Sequence, residues 1–290
     1  MIKQITIRLS IILMLFFGII NVANSQYLKR SISRIAEVSI DISTPTAHYQ
    51  PMFGVGDNNS AIIEAIERFG VLTIDSSGTS NPATYAEEEI ILFVLNGTGR
   101  INYDQTIMPI SQNDFMYIPV GTEFSISNPR EKSLKVVVIG FKIFPETQIE
   151  PTERLMIANT SEVAFQVLGQ HGPTTLFQLL MGTTRSRRDR LAAAYQANSL
   201  FIMDFAATGT NIPHKHEREE EIYLILEGEG DIVAGEEPTD STEIRHPAKA
   251  GDAFFFAPST LIGFYNTTRD GEEHAKILAV RFRYPRQPEN

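Results

Sequence analysis

Two stretches of this chain repeat one another in order, and the repetition limits the fold more than any other feature. Glu87-Glu-Glu-Ile-Ile-Leu-Phe-Val-Leu-Asn-Gly-Thr-Gly-Arg-Ile matches Glu219-Glu-Glu-Ile-Tyr-Leu-Ile-Leu-Glu-Gly-Glu-Gly-Asp-Ile, apart from one extra residue in the first copy. Further on, Asn113-Asp-Phe-Met-Tyr-Ile-Pro-Val-Gly-Thr, ending at Asn128, matches Gly251-Asp-Ala-Phe-Phe-Phe-Ala-Pro-Ser-Thr, ending at Asn266. Two motif pairs in the same order are the mark of an internal duplication. Gly97 and Gly228 are 131 residues apart and Pro119 and Pro258 are 139 apart, so the second copy carries extra residues between its motifs, in the Glu236–Ala248 loop.

Each copy consists of short apolar runs broken by Gly, Pro and Asn, the pattern of an all-β barrel or sandwich. Residues 61–74 admit two readings. Ile62, Ile63, Ile66 and Phe69 fit a helical face with Ser60 as N-cap. Phe69-Gly-Val-Leu-Thr-Ile reads as strand, and a strand is expected for at least the second half. Ile90–Leu95 and Ile222–Leu226 are apolar on both faces, Tyr223 apart. A strand with a solvated face should alternate, so a sister barrel or another subunit must cover these. That cover predicts a homodimer or a larger assembly.

The second copy also carries candidate chemistry. His214 and His216 are two residues apart, and residues i and i+2 of a strand point to the same face. Glu221 opens the next strand and brings a carboxylate to the same place, with Glu220 as a rival. Two imidazoles and one carboxylate suit non-haem iron with open coordination positions or zinc with a water; manganese and nickel are further candidates. Tyr223 runs in phase with Glu221, so it can line the same cavity. The other histidines stand apart from this pattern: His48, His171 and His274 lie in turn-like or polar contexts, and His246 is in the inserted loop, from which it could swing over the barrel mouth. Arg185-Ser-Arg-Arg-Asp-Arg reads either as a grip for an anionic substrate or as a solvated face paired with carboxylates such as Glu217–Glu221.

These residues resemble the cupin superfamily. Its first motif is matched by Gly209, four residues where the family usually has five, then His214-Lys-His216, four residues, Glu221, six residues and Gly228. Its second motif is matched at Gly251, Pro258 and Asn266. The resemblance covers the whole mature chain and implies an all-β protein of two tandem cupin-type (double-stranded β-helix, jelly-roll) barrels. The implied layout is a signal peptide at 1–25, an N-terminal barrel at 26–148, a connecting segment at 149–195 and a C-terminal barrel at 196–290. It implies a divalent metal (Fe, Mn, Zn or Ni) on His214, His216 and Glu221, and a small-molecule ligand or substrate. Thr260 stands where the family has glycine, and the usual fourth ligand, a histidine, falls at Ile262 or Gly263, leaving Ile262 beside Tyr223 as a lining residue. In the N-terminal copy the ligand positions fall on Ala83, Tyr85 and Ile90 by one alignment, or on Pro82, Thr84 and Glu89 by the other, with Phe124 in the second motif. Neither alignment restores a histidine. Two functions fit: a secreted metal-dependent enzyme, oxygenase-like, acting on a small organic molecule, or a non-catalytic small-ligand-binding or structural bicupin with a vestigial metal site.

Compartment is read from the first residues. Lys3 and Arg8 precede an apolar run from Ile11 to Ile20, and Ala23-Asn24-Ser25 supplies small residues for cleavage near Gln26. The pattern predicts a secreted or periplasmic protein with no membrane anchor after cleavage. Loss of Lys3 and Arg8 takes the net charge from −10 to −12, which argues against nucleic acid or an anionic membrane as partner. Without cysteine there is no disulfide and no thiolate chemistry. No Ser–His–Asp set, phosphate-binding glycine loop or paired-carboxylate glycosidase motif is present.

Overall fold

The computed structural model describes residues 27–145, 147–149, 152, 154–169, 171–235, 243–268 and 274–283. The predicted signal segment, and all of the inserted loop between 236 and 242, lie outside the described residues. Among the described residues there are twenty strands and only two short 3-10 turns, and no helix long and apolar enough to cross a membrane.

In chain order the first half gives β1 (Tyr27–Ser31), β2 (Ala47–Gly54), β3 (Ile66–Ile74), β4 (Glu88–Asn96), β5 (Thr98–Tyr103), β6 (Thr106–Ser111), β7 (Asp114–Ile118), β8 (Phe124–Ser127) and β9 (Leu134–Lys142). The second half gives β10 (Met156–Asn159), β11 (Thr175–Thr183), β12 (Leu191–Ala194), β13 (Ala197–Phe205), β14 (Thr210–Lys215), β15 (Glu219–Glu227), β16 (Glu229–Gly235), β17 (Arg245–Lys249), β18 (Asp252–Phe256), β19 (Leu261–Asn266) and β20 (Ala275–Arg283). The ambiguous 61–74 segment is strand from Ile66 onward, as its second half predicts.

Each half forms a barrel of two sheets. The N-terminal one has the order β10-β7-β4-β9-β3-β2 facing β6-β5-β8, and the C-terminal one β1-β18-β15-β20-β13-β11-β12 facing β14-β19-β16-β17. The first strand of each half crosses over: β1 pairs with β18 in the C-terminal sheet, and β10 pairs with β7 in the N-terminal sheet. The 149–195 segment is therefore more than a connection, since β11 and β12 extend the C-terminal sheet beyond β13, with β12 at its edge.

The duplication holds down to single hydrogen bonds. Gly97 and Gly228 both turn with positive φ, and an added Cβ would meet Ser133 O or His274 O at 2.8 Å. Asn128 donates its buried amide to Ile74 O and Asp75 O, and Asn266 donates to Phe205 O and Ala206 O.

Alternation on β4 and β15 explains why both runs are apolar throughout. Ile90, Leu92 and Val94 face the N-terminal barrel interior, and Tyr223 and Ile225 face the C-terminal one. Ile91, Phe93, Ile222 and Leu224 belong instead to a third cluster shared by both barrels. The cover is thus the sister barrel, so these strands give no argument for a second copy of the chain.

Two buried carboxylates tie the halves together at matching positions. Glu89 accepts from the backbone of Tyr195, Gln196 and Ala197 at 2.8, 2.8 and 3.1 Å and from Tyr117 Oη at 3.0 Å. Its counterpart Glu220 accepts from the backbone of Glu64 and Ala65 at 3.2 and 3.3 Å. Each clasp grips the residues at or just before the start of the other barrel's equivalent strand. Burial pushes both carboxyls up, Glu220 to about 8, against the opposing pull of the backbone donors.

Candidate metal centre

β14 and β15 bring His214, His216 and Glu221 together, with one potential ligand atom from each lying within 4.8 Å of the others. The pleat sorts the carboxylate block: Glu221 points into the barrel with Tyr223, whereas Glu220 points out to its clasp. Glu220 thus stands on the opposite face from the histidines.

The hydrogen bonds fix what the imidazoles present. His214 Nδ1 is 2.9 Å from Ile212 O, and because a carbonyl only accepts, Nδ1 carries the hydrogen. Burial pushes the His214 pKa below the ordinary histidine range, which favours the neutral ring with a bare lone pair on Nε2. His216 Nδ1 faces Glu219 Oε2 at 3.7 Å. The two Nε2 atoms stand 3.1 Å apart, and His216 Nε2 is 3.3 Å from Glu221 Oε2, a buried oxygen with no hydrogen-bond partner. Two ring nitrogens and a buried carboxylate oxygen converge on one point, an arrangement that a cation between them would satisfy. Outer contacts that orient ligating imidazoles in this way are usual at metal sites. The donor set fits a divalent metal.

The cluster forms one wall of a cavity of about 420 Å³. Tyr223 lines it, and Ile262, directly opposite His214 in the strand register, packs in the same buried cluster as Tyr223 without reaching the cavity surface. Two groups come instead from the segment before β13. His171 stacks edge-on to His214, with ring centroids 5.6 Å apart, and its Nδ1 contacts Asn211 Oδ1 at 2.5 Å. Asn211 Nδ2 in turn donates to Tyr223 Oη at 3.1 Å. Arg188 also reaches the cavity, while its neighbour Arg190 pairs with Glu162. His246 does not swing over the mouth, because it packs 4.8 Å from Tyr27 and bonds Ala234 O at 3.2 Å. A larger groove of about 680 Å³ runs between the barrels, but Lys135 and Glu227 are its only charged lining residues and it has no histidine.

The N-terminal barrel holds other residues at the matching positions. Ala83 faces Phe124 as His214 faces Ile262, which selects the alignment that equates Ala83, Tyr85 and Ile90 with the three ligands. Arg68 fills this barrel's equivalent space. Its guanidinium holds Glu88 through two bonds of 2.8 and 3.0 Å, contacts Asp41 at 3.1 Å and Tyr85 Oη at 2.9 Å, and lies 4.1 Å from the centre of the Tyr85 ring. Gly140 makes room, since a Cβ there would meet Arg68 Cγ at 2.5 Å. A tethered cation stands where the sister barrel presents His214, His216 and Glu221.

A cupin-domain family model matches residues 201–281, which span the cluster and all its strands. Those residues are a cupin domain by sequence, and the chain as a whole has the fold of two tandem cupin-type barrels. Solved structures of similar fold cover most of the chain. The "putative glyoxylate induced protein" of Pseudomonas aeruginosa is 14% identical with a TM-score of 0.69, covering 91% of this chain and 92% of its own. Ylba of E. coli is 16% identical with a TM-score of 0.66, covering 91% and 93%. Oxalate decarboxylase of Lactobacillus farciminis, in a formate complex, is 12% identical with a TM-score of 0.65, covering 89% and 86%. At these identities the likeness is one of fold. No curated protein matches the sequence.

Sequence reasoning missed His171 and Arg281. His171 lies in a Gly-Pro turn whose place over the barrel depends on contacts some 40 residues away. Arg281 had a signal: it stands opposite Ser199 as Gly140 stands opposite Arg68, so comparison of the two copies exposes a side chain gained in the second.

Proposed function

We propose that this chain is an exported, metal-dependent cupin enzyme whose C-terminal barrel holds one divalent cation through His214, His216 and Glu221. It acts on a small organic molecule in the adjoining cavity. The observation that carries the reading is the convergence of two Nε2 atoms 3.1 Å apart on a buried carboxylate oxygen that nothing else satisfies. Iron, manganese, zinc or nickel suits two nitrogens and one oxygen, and such a metal supplies a Lewis-acidic centre with open positions. The chain supplies the rest. Ile212 O and Glu219 orient the imidazoles, the Tyr223–Asn211–His171 chain braces the wall beside them, and Phe177, Phe201 and Met203 give the cavity an apolar lining. Export rests on the basic start and apolar run at Ile11–Ile20. The test is turnover or O2 consumption with phenolic, keto-acid and ureido compounds. Activity should vanish on chelation and return with one of these metals; a full panel without any metal-dependent turnover would leave the protein a binding module.

A further inference from the structure

Three buried polar atoms without a hydrogen-bond partner lie side by side on the cavity wall: Ser199 Oγ, Arg281 Nε and Glu221 Oε2. Their residues are in register on three adjacent strands, Ser199 opposite Arg281 and Arg281 opposite Glu221, and all three line the cavity. Buried polar atoms in folded proteins nearly always find partners, and a cluster of exceptions needs a cause. A metal accounts for Glu221. It does not account for Ser199 and Arg281, which bring donors rather than free lone pairs alone.

Arg281 differs from Arg68, the arginine of the N-terminal barrel, in what its guanidinium does. Arg68 spends its nitrogens on Glu88, Asp41 and Tyr85. Arg281 has one ion pair, from Nε to Glu219 Oε2 at 3.1 Å, outside hydrogen-bond geometry. Among the described residues its two terminal nitrogens have no hydrogen-bond partner. Arg188, more than half exposed and paired through Nε with Asp189 Oδ2 at 3.6 Å, also lines the cavity. The two terminal nitrogens of a guanidinium match the two oxygens of a carboxylate, and a serine hydroxyl beside it supplies a further donor. The apolar wall of Phe177, Leu179, Phe201 and Met203 suits an organic body more than a bare inorganic anion.

We propose that Arg281 and Ser199 form a carboxylate-recognition site, so that the cavity selects small organic acids, with the acid group on Arg281 and the rest of the molecule directed toward His214, His216 and Glu221. This deepens the proposed function and rests on it for the placement of the far end, but the anion grip itself needs no metal.

The test is calorimetric titration of the full chain with malonate and glycolate, with the neutral malonamide and glycolamide, and with inorganic phosphate. Each is run after chelation and after reloading with Mn2+, and metal content is measured in parallel. The wild type should bind at least one acid, and bind its amide and phosphate more weakly. Arg281→Gln should lose affinity by about tenfold or more, Arg281→Lys less, and Ser199→Ala by roughly threefold, as expected for charged and neutral hydrogen bonds respectively. Metal content should not change in any of the three variants. Ser199→Ala and Arg281→Lys keep the proposal testable should Arg281→Gln fold poorly. Equal binding of acid and amide, tighter binding of phosphate, undiminished acid binding in Arg281→Gln, or no binding of either acid at high millimolar concentration would overturn it. Acid binding without metal uptake would instead overturn the proposed metal centre and leave the carboxylate site standing.

Discussion

Replacing Arg68 by Met tests the idea that a tethered cation holds the N-terminal barrel together. Arg68 is 3% exposed and Glu88 loses both of its short bonds to it on substitution. Asp41 is freed too, but it is exposed enough for water to replace Arg68. Glu88, with 15% of its side chain exposed, is the group left in difficulty. Breaking a buried pair by removing one partner costs about 3–5 kcal/mol, and the partial access of Glu88 to water puts this case near the lower end. About 3 kcal/mol corresponds to a fall in melting temperature of roughly 6–12 °C in a domain of 150–250 residues. The assay is thermal unfolding by circular dichroism, with the double variant Arg68→Met plus Glu88→Met alongside. The double variant should recover much of the loss, because replacing both charges leaves no uncompensated ion. A single variant melting within about 2 °C of wild type, or a double variant worse than the single, would refute the reasoning. Metal bound per chain should not change, since Arg68 is remote from His214, His216 and Glu221.

Gly140→Ala should destabilise the same barrel by about 1–3 kcal/mol, because the new Cβ lands 2.5 Å from Arg68 Cγ and 2.7 Å from Glu88 Oε2; urea unfolding reads the loss. Glu89 gives a pH dependence of definite sign. Burial raises its pKa above the ordinary value of 4.5, so the folded chain keeps a proton that the unfolded chain has released. Stability should therefore fall as pH rises from about 4.5 toward the raised value, and Glu89→Gln should flatten that slope in a melting-temperature profile. Tyr223→Phe removes the acceptor of Asn211 Nδ2 and should cost about 1–2 kcal/mol in urea unfolding while leaving metal content unchanged.

Much of the fold was legible because duplication repeats information. Gly97 and Gly228, or Asn128 and Asn266, do the same structural job twice, and the repeated apolar runs announced a covered face. What covers that face was not legible: the same alternation suits a sister barrel or a second chain, and only the packing of Ile91 and Phe93 into one cluster with Ile222 and Leu224 decides it. The ligand trio was visible because two of its members are spaced by the strand period. Its surroundings were not. The crossing of β1 and β10, the placing of His171 over His214, and the exchange of an arginine between Arg68 and Arg281 depend on contacts far apart in sequence. Ile262, read as a lining residue from its place in the motif, lies opposite His214 and packs with Tyr223 and Phe264 just behind the cavity surface.

The most direct test of the central claim is the metal stoichiometry of protein purified without chelators, measured by inductively coupled plasma mass spectrometry beside the double variant His214→Ala plus His216→Ala. One metal ion per chain in the wild type and none in the variant is the predicted result, since one barrel offers ligands and the other carries Arg68. Equal, substoichiometric metal in the two samples would contradict it, as would two ions per wild-type chain.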